Sequence, residues 1–99
     1  MRITVPHHTT REKARRIVQQ KIDTVLAQFG HHAADAQHEW TGDTLRFKGK
    51  AAGFNIEGDV EITDADVTIH AKLPLIALPL EPRIKHTVQK EAEGMFRRA

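Results

Sequence analysis

The sequence contains no cysteine, no serine and no tyrosine among its 99 residues. The lack of cysteine excludes disulfide bonds and thiolate metal sites, and the commonest covalent nucleophiles are missing too. No apolar run approaches the roughly 18 residues of a membrane-spanning helix, and the first residues lack the apolar stretch of a signal peptide. These absences predict a cytoplasmic protein and disfavour an enzyme.

Basic and acidic residues nearly balance, since 15 basic and 13 acidic residues leave a formal net charge of +2. A mixture this balanced produces no strong field for phosphate groups. Aromatic residues are also scarce, with four phenylalanines and one tryptophan. The length suits one domain, residues 1–99, with a single core. Binding to nucleic acid is therefore expected to be weak and nonspecific.

Hydrophobic periodicity predicts two helices and a first strand. Residues 1–6 alternate as in a short strand, and residues 10–29 carry apolar side chains at helical spacing. Thr9 to Glu12 matches a capping box in which Thr9 is the N-cap, and Gly30 is a natural stop. Pro82 suits the first turn of a second helix.

Turn residues predict the register of the middle of the chain. Gly42-Asp43 suits a type II′ turn, Ala52-Gly53 a second turn, and Asp64-Ala65 a third that is a poor tight turn and could be longer. With this register the large apolar side chains share one sheet face: Ile3, Val5, Trp40, Leu45, Phe47, Phe54, Ile56, Val60, Ile62, Val67 and Ile69. A slip of one residue would move each apolar set into water.

These patterns together predict an α+β fold. The expected architecture is a two-layer sandwich in which two amphipathic helices cover one face of an antiparallel β-meander, in the order β-α-β-β-β-β-α. The other face is expected to be solvated and charged, and to carry Arg46, Lys48, Glu57, Asp59, His70 and Lys72. Gly58 is predicted opposite Phe47 and Ala71, so Gly58→Val is expected to cost about 1–3 kcal/mol by overpacking.

Nearly the whole chain resembles the polyhydroxyalkanoic acid system family, also called the granule-region family. The resemblance lies in RITVPH, REKARRIVQQKIDTVLAQFG, WTGDTLRFKGKAAGFNIEGDVEI, VTIHAKLP and the aliphatic stretch before the second helix. It implies a bacterial cytoplasmic protein associated with the synthesis, use or surface coating of polyhydroxyalkanoate storage granules. It implies no catalytic residues.

The stretch LPLIALPLEP, residues 73–82, is the candidate functional segment. Its prolines block a continuous helix or a central strand, which predicts a bend. One interpretation is a structural lid over the core, with Leu73 and Leu80 inside. The other is that Leu75, Ile76 and Leu78 form an exposed apolar patch that contacts a granule, a partner protein or a second copy of the chain.

Histidines and charged pairs suggest weaker hypotheses. His7-His8 and His31-His32 flank a helix about 30 Å long, so one chain cannot bring them to one metal ion. They are interpreted as solvated or capping residues, and His38 as a core histidine beside Phe47. Asp59 and His70 could form an acid–base dyad but fall in a charge lattice on the polar face.

The sequence thus predicts a non-enzymatic granule-associated protein without cofactor or metal. One alternative is a carrier of a hydrophobic ligand between sheet and helices, with room near Gly49, Ala51, Gly58 and Ala71. Those small residues could instead admit a helix. Another alternative is an RNA- or ribosome-associated module that uses basic residues of the first helix such as Arg15 and Arg16, although no aromatic platform accompanies them.

Overall fold

The computed structural model describes residues 1–29, 33–51 and 54–97. Its elements follow the predicted order: β1 (Arg2–Pro6), α1 (Arg11–Phe29), β2 (Ala33–Thr41), β3 (Thr44–Ala51), β4 (Phe54–Ile62), β5 (Asp66–Lys72), a 3-10 helix (Leu75–Leu80) and α2 (Glu81–Phe96). The five strands form one antiparallel sheet in the order β1-β5-β4-β3-β2. The predicted α+β class is confirmed.

Strand pairing follows the predicted register. Leu45 pairs with Trp40 on one side and with Val60 on the other, and Phe47 pairs with Gly58. Gly42 has a φ of +60°, which suits the first position of the expected type II′ turn. The predicted third turn would also set Ile56 opposite Leu73, and this pair is wrong because β5 ends at Lys72. The Ala52-Gly53 turn lies outside the described residues.

The core lies between the sheet and both helices. The buried apolar side chains come from four strands and both helices: Ile3, Val5, Ala14, Val18, Leu45, Val60, Ile62, Val67, Ala92 and Phe96. Trp40, Phe47 and Ile69 are half-buried and pack against them. The predicted apolar face is therefore the helix-covered one. Ile56 is half-buried, and the side chain of Phe54 is outside the described part.

His38 corrects one expectation. It pairs with Phe47 as predicted, yet its side chain is exposed rather than part of the core. Its Nε2 lies 3.5 Å from Nε2 of Gln19 on α1. The residue lies on β2, which is an edge strand of the sheet.

His7 is a second correction, because it is fully buried instead of solvated or helix-capping. Its Nδ1 accepts a hydrogen bond from the Thr9 backbone N–H at 3.1 Å, so the ring proton is assigned to Nε2. Nε2 then donates to the Thr63 carbonyl oxygen at 2.8 Å. The backbone N–H of His7 also donates to the Ala65 carbonyl. One side chain thereby fastens the β1–α1 connection to the β4–β5 loop.

The N-cap of α1 is Thr10, not Thr9. The Thr10 Oγ1 accepts from the Lys13 backbone N–H at 3.1 Å, as an N-cap side chain does. The Thr10 carbonyl also accepts the first helical hydrogen bond, from the Ala14 N–H, and the helix begins at Arg11. Pro82 lies in the first turn of α2, as predicted.

We expect Thr10→Ala to lower the free energy of unfolding by about 1 kcal/mol, since the Lys13 N–H loses its partner. Thr9→Ala is the matched control and should cost less than about 0.5 kcal/mol. Urea unfolding midpoints of the two variants measure the difference. Equal losses would contradict the assignment of the cap.

Candidate apolar contact surface

The segment between β5 and α2 forms a 3-10 helix rather than the irregular bend expected from its prolines. Pro74 is extended and precedes the helix, with φ −63° and ψ 151°. The Ala77 N–H then bonds the Pro74 carbonyl, and the Glu81 N–H bonds the Leu78 carbonyl. Pro79 has no N–H to donate, and the short i→i+3 turn tolerates that loss.

None of the six side chains in this 3-10 helix is buried. Leu75 is 84% exposed, Ile76 69% and Leu78 44%. Leu80 was expected to lie inside but is 53% exposed, whereas Leu73 is half-buried. We call Leu75, Ile76, Leu78 and Leu80 the aliphatic patch. Large exposed aliphatics next to one another are typical of contact surfaces, and their role in contact stays a prediction.

The helix-free sheet face carries a concavity of about 960 Å³ with a charged lining. In it the Nδ1 of His70 lies 3.2 Å from Oδ1 of Asp59, and the Nζ of Lys72 lies 3.5 Å from Oε1 of Glu57. All four side chains are more than a third exposed. Solvent weakens such pairs, so the arrangement is that of a solvated charge lattice.

Three basic side chains of α1, those of Arg15, Arg16 and Lys21, have contacts within the protein. The guanidinium of Arg15 lies 4.7 Å from the ring centre of Trp40, whose indole N–H donates to Oε1 of Gln19 at 2.6 Å. Arg16 lies 3.9 Å from Glu12, and Lys21 lies 3.2 Å from Glu91 on α2. A phosphate ligand on this helix would have to compete with these contacts.

Arg11 ties the start of α1 to two loops. Its Nε donates to Oδ1 of Asp64 at 2.6 Å, and its Nη1 donates to Oδ2 of Asp43 at 3.0 Å. The hydrogen bond with Asp64 and then that with Asp43 raise the pKa of Arg11 above its ordinary value. The residue thus has a structural role.

The space beside Gly58, one of the small residues of the inner sheet face, is occupied by neighbouring atoms. A Cβ added at Gly58 would overlap the backbone carbonyl oxygen of His70 and lie 2.7 Å from Cζ of Phe47. The phenylalanine ring therefore occupies the space over Gly58. The side chain of Ala51 lies outside the described part.

Residues 1–29, 33–51 and 54–97 contain no group of three or more histidines and carboxylates placed to hold a metal ion. His31 and His32 are outside these ranges. Among the same residues, neither helix is both long and apolar enough to cross a membrane.

The fold and its surface define a small two-layer α+β protein whose most conspicuous exposed feature is an aliphatic segment. The chain belongs to the family described as "Putative polyhydroxyalkanoic acid system protein", whose model matches residues 1–96. The match confirms the resemblance seen in the sequence. No curated protein and no solved structure matches the chain.

Proposed function

We propose that this protein is a non-enzymatic accessory protein of bacterial polyhydroxyalkanoate storage. It acts in the cytoplasm at the granule surface, and the aliphatic patch makes the contact. The observation that supports this role is the exposure of Leu75, Ile76 and Leu78 in a chain of the polyhydroxyalkanoic acid system family. A granule-associated protein or a second copy of the chain is the alternative occupant of the patch.

The energy scale is adequate for reversible attachment. The exposed fractions of the three residues add up to the apolar surface of about two fully exposed side chains. Burial of that surface contributes roughly 3–6 kcal/mol before the entropy of association is subtracted. The hydrophobic-carrier hypothesis has less support, because Phe47 fills the space over Gly58. The RNA-binding hypothesis is weakened by the contact of Arg15 with the Trp40 ring.

The test is a triple variant, Leu75→Ser, Ile76→Ser and Leu78→Ser, mixed with protein-free amorphous poly(3-hydroxybutyrate) particles. We expect co-sedimentation to fall more than tenfold, because the apolar contact is lost, while the thermal midpoint changes by only a few degrees. The control variant replaces three exposed polar residues, Gln20, Gln37 and Asn55, with serine and should sediment like the parent.

Two outcomes would overturn the proposal. Undiminished sedimentation of a folded triple variant would remove the patch from the contact. A large loss of thermal stability would instead make the segment a structural lid, since replacing core aliphatics with polar residues costs several kcal/mol.

A further inference from the structure

The exposed side of α2 carries a row of cations that begins beside the aliphatic patch. Arg83, Lys90 and Arg97 are spaced by seven residues, and all three side chains are exposed. A straight α-helix drifts by only about 20° per seven residues, so the three lie along one line roughly 21 Å long. We call these three residues the cationic row.

The patch and the row are continuous. Leu80 is the N-cap of α2 with a right-handed helical backbone (φ −94°, ψ −3°), and Arg83 follows three residues later in the first turn of α2. Glu81, the acid next to the patch, lies 3.6 Å from the N-terminal ammonium group of Met1. Nearby Glu93 accepts a hydrogen bond from the neutral Gln89 and keeps its negative charge. The three cations of the row outnumber this one carboxylate, so the net charge of the row and Glu93 together is positive.

The cations of the row differ from those of α1 in their contacts. Arg15, Arg16 and Lys21 contact an indole ring or a carboxylate, as described above. Within the described ranges, no carboxylate lies within ion-pair distance of Arg83, Lys90 or Arg97. Their charge is available to an external anion.

The exposed apolar area of the aliphatic patch helps to distinguish a protein partner from a lipid surface. Its four residues expose about two and a half side chains' worth of surface, roughly 150–300 Å² of apolar area. A stable contact between two proteins buries about 800 Å² on each partner. The patch alone is less than half of that, whereas a fluid apolar layer admits single side chains and needs no matching shape. Aliphatic side chains beside a line of cations are typical of binding to anionic lipid.

We propose that this side of the protein binds an anionic phospholipid surface, with the aliphatic patch inserted among the acyl chains and the cationic row on the headgroups. This inference rests on the proposed function in that both use the aliphatic patch. It adds a requirement for negative charge, which a neutral polyester particle does not have.

The experiment is flotation of the full chain with vesicles of phosphatidylcholine alone or with 40% phosphatidylglycerol. Each cation near an anionic surface strengthens binding about fivefold, so Arg83→Gln, Lys90→Gln and Arg97→Gln together should weaken binding to anionic vesicles about 100-fold. High salt should weaken the parent in the same way. The triple serine variant of the patch should also lose vesicle binding.

A charge-matched control replaces three exposed lysines on other parts of the molecule, Lys13, Lys48 and Lys50, with glutamine. It has the same net charge as the cationic-row variant, and it should keep most of the anionic-vesicle binding. If both variants lose the same amount of binding to anionic vesicles, net charge alone explains the loss and the proposal is overturned. Equal binding of the parent to neutral and anionic vesicles would also overturn it, as would a patch-dependent dimer that does not bind vesicles.

The two proposals fail in different ways. If the vesicle result is negative while polyester binding still requires Leu75, Ile76 and Leu78, only the lipid inference falls. If the triple serine variant sediments with polyester like the parent, the proposed granule contact falls, whatever the vesicles show. The cationic-row variant should bind neutral polyester like the parent.

Discussion

Gly58→Ala should destabilise the protein by about 3 kcal/mol or more, which corresponds to a fall in thermal midpoint of roughly 15 °C or more for a chain of this size. The added methyl group would overlap the backbone carbonyl oxygen of His70 and crowd Cζ of Phe47 and the Cα of Ala71. A ring can rotate away, but a carbonyl in the β4–β5 ladder cannot move without loss of pairing. Even alanine is therefore too large, and Gly58→Val should exceed the cost expected from the sequence.

Gly94→Ala is the matched control for this prediction. A Cβ at Gly94 meets no atom within 4 Å, and the residue lies inside α2. Alanine should therefore stabilise the protein by about 0.5–1 kcal/mol. Thermal unfolding of both variants gives the comparison. A Gly58→Ala variant as stable as the parent would show that β4 and β5 are not packed this closely.

His7→Ala should lower the free energy of unfolding by about 3 kcal/mol. The change leaves the Thr63 carbonyl and the Thr9 N–H without their partner, and each unpaired group costs about 1–3 kcal/mol if it stays buried. It also removes a ring that packs against Phe96, with centroids 6.3 Å apart. Chemical unfolding measures the loss.

His86→Ala is the control, because His86 is exposed on α2 and should change stability by no more than about 0.5 kcal/mol. A second variant, His7→Leu, restores apolar volume but not the hydrogen bonds. If His7→Leu is as stable as the parent, packing alone explains the residue and the hydrogen-bond argument is wrong.

The strand register was predictable because its causes are local. Gly42-Asp43 forms a tight turn, and alternation then assigns Leu45, Phe47 and Val60 to one face. The docking of β1 was not predictable, since its partner residues in β5 are at least 60 positions away and either sheet edge could accept a strand. His7 was misread for the same reason, because its partner Thr63 is distant in sequence.

The candidate surface was partly predictable. Prolines within an aliphatic run kept Leu75, Ile76 and Leu78 out of a strand or a long helix, and these residues are exposed. Leu80 was expected to lie inside, a position that would suit an apolar residue of α2. It belongs instead to the preceding 3-10 helix, whose three residues per turn place side chains at different angles. Its exposure extends the apolar surface to Arg83.

The only tryptophan, Trp40, is an internal fluorophore, and its contacts determine which part of the structure its fluorescence reports. The indole of Trp40 donates a hydrogen bond to Gln19, and the guanidinium of Arg15 lies over its ring. Because both residues are on α1, the emission of Trp40 reports the docking of α1 on the sheet. The aliphatic patch contains no aromatic residue. Intrinsic emission can therefore follow unfolding of the variants, while the proposed attachment through the patch has to be measured by sedimentation or flotation.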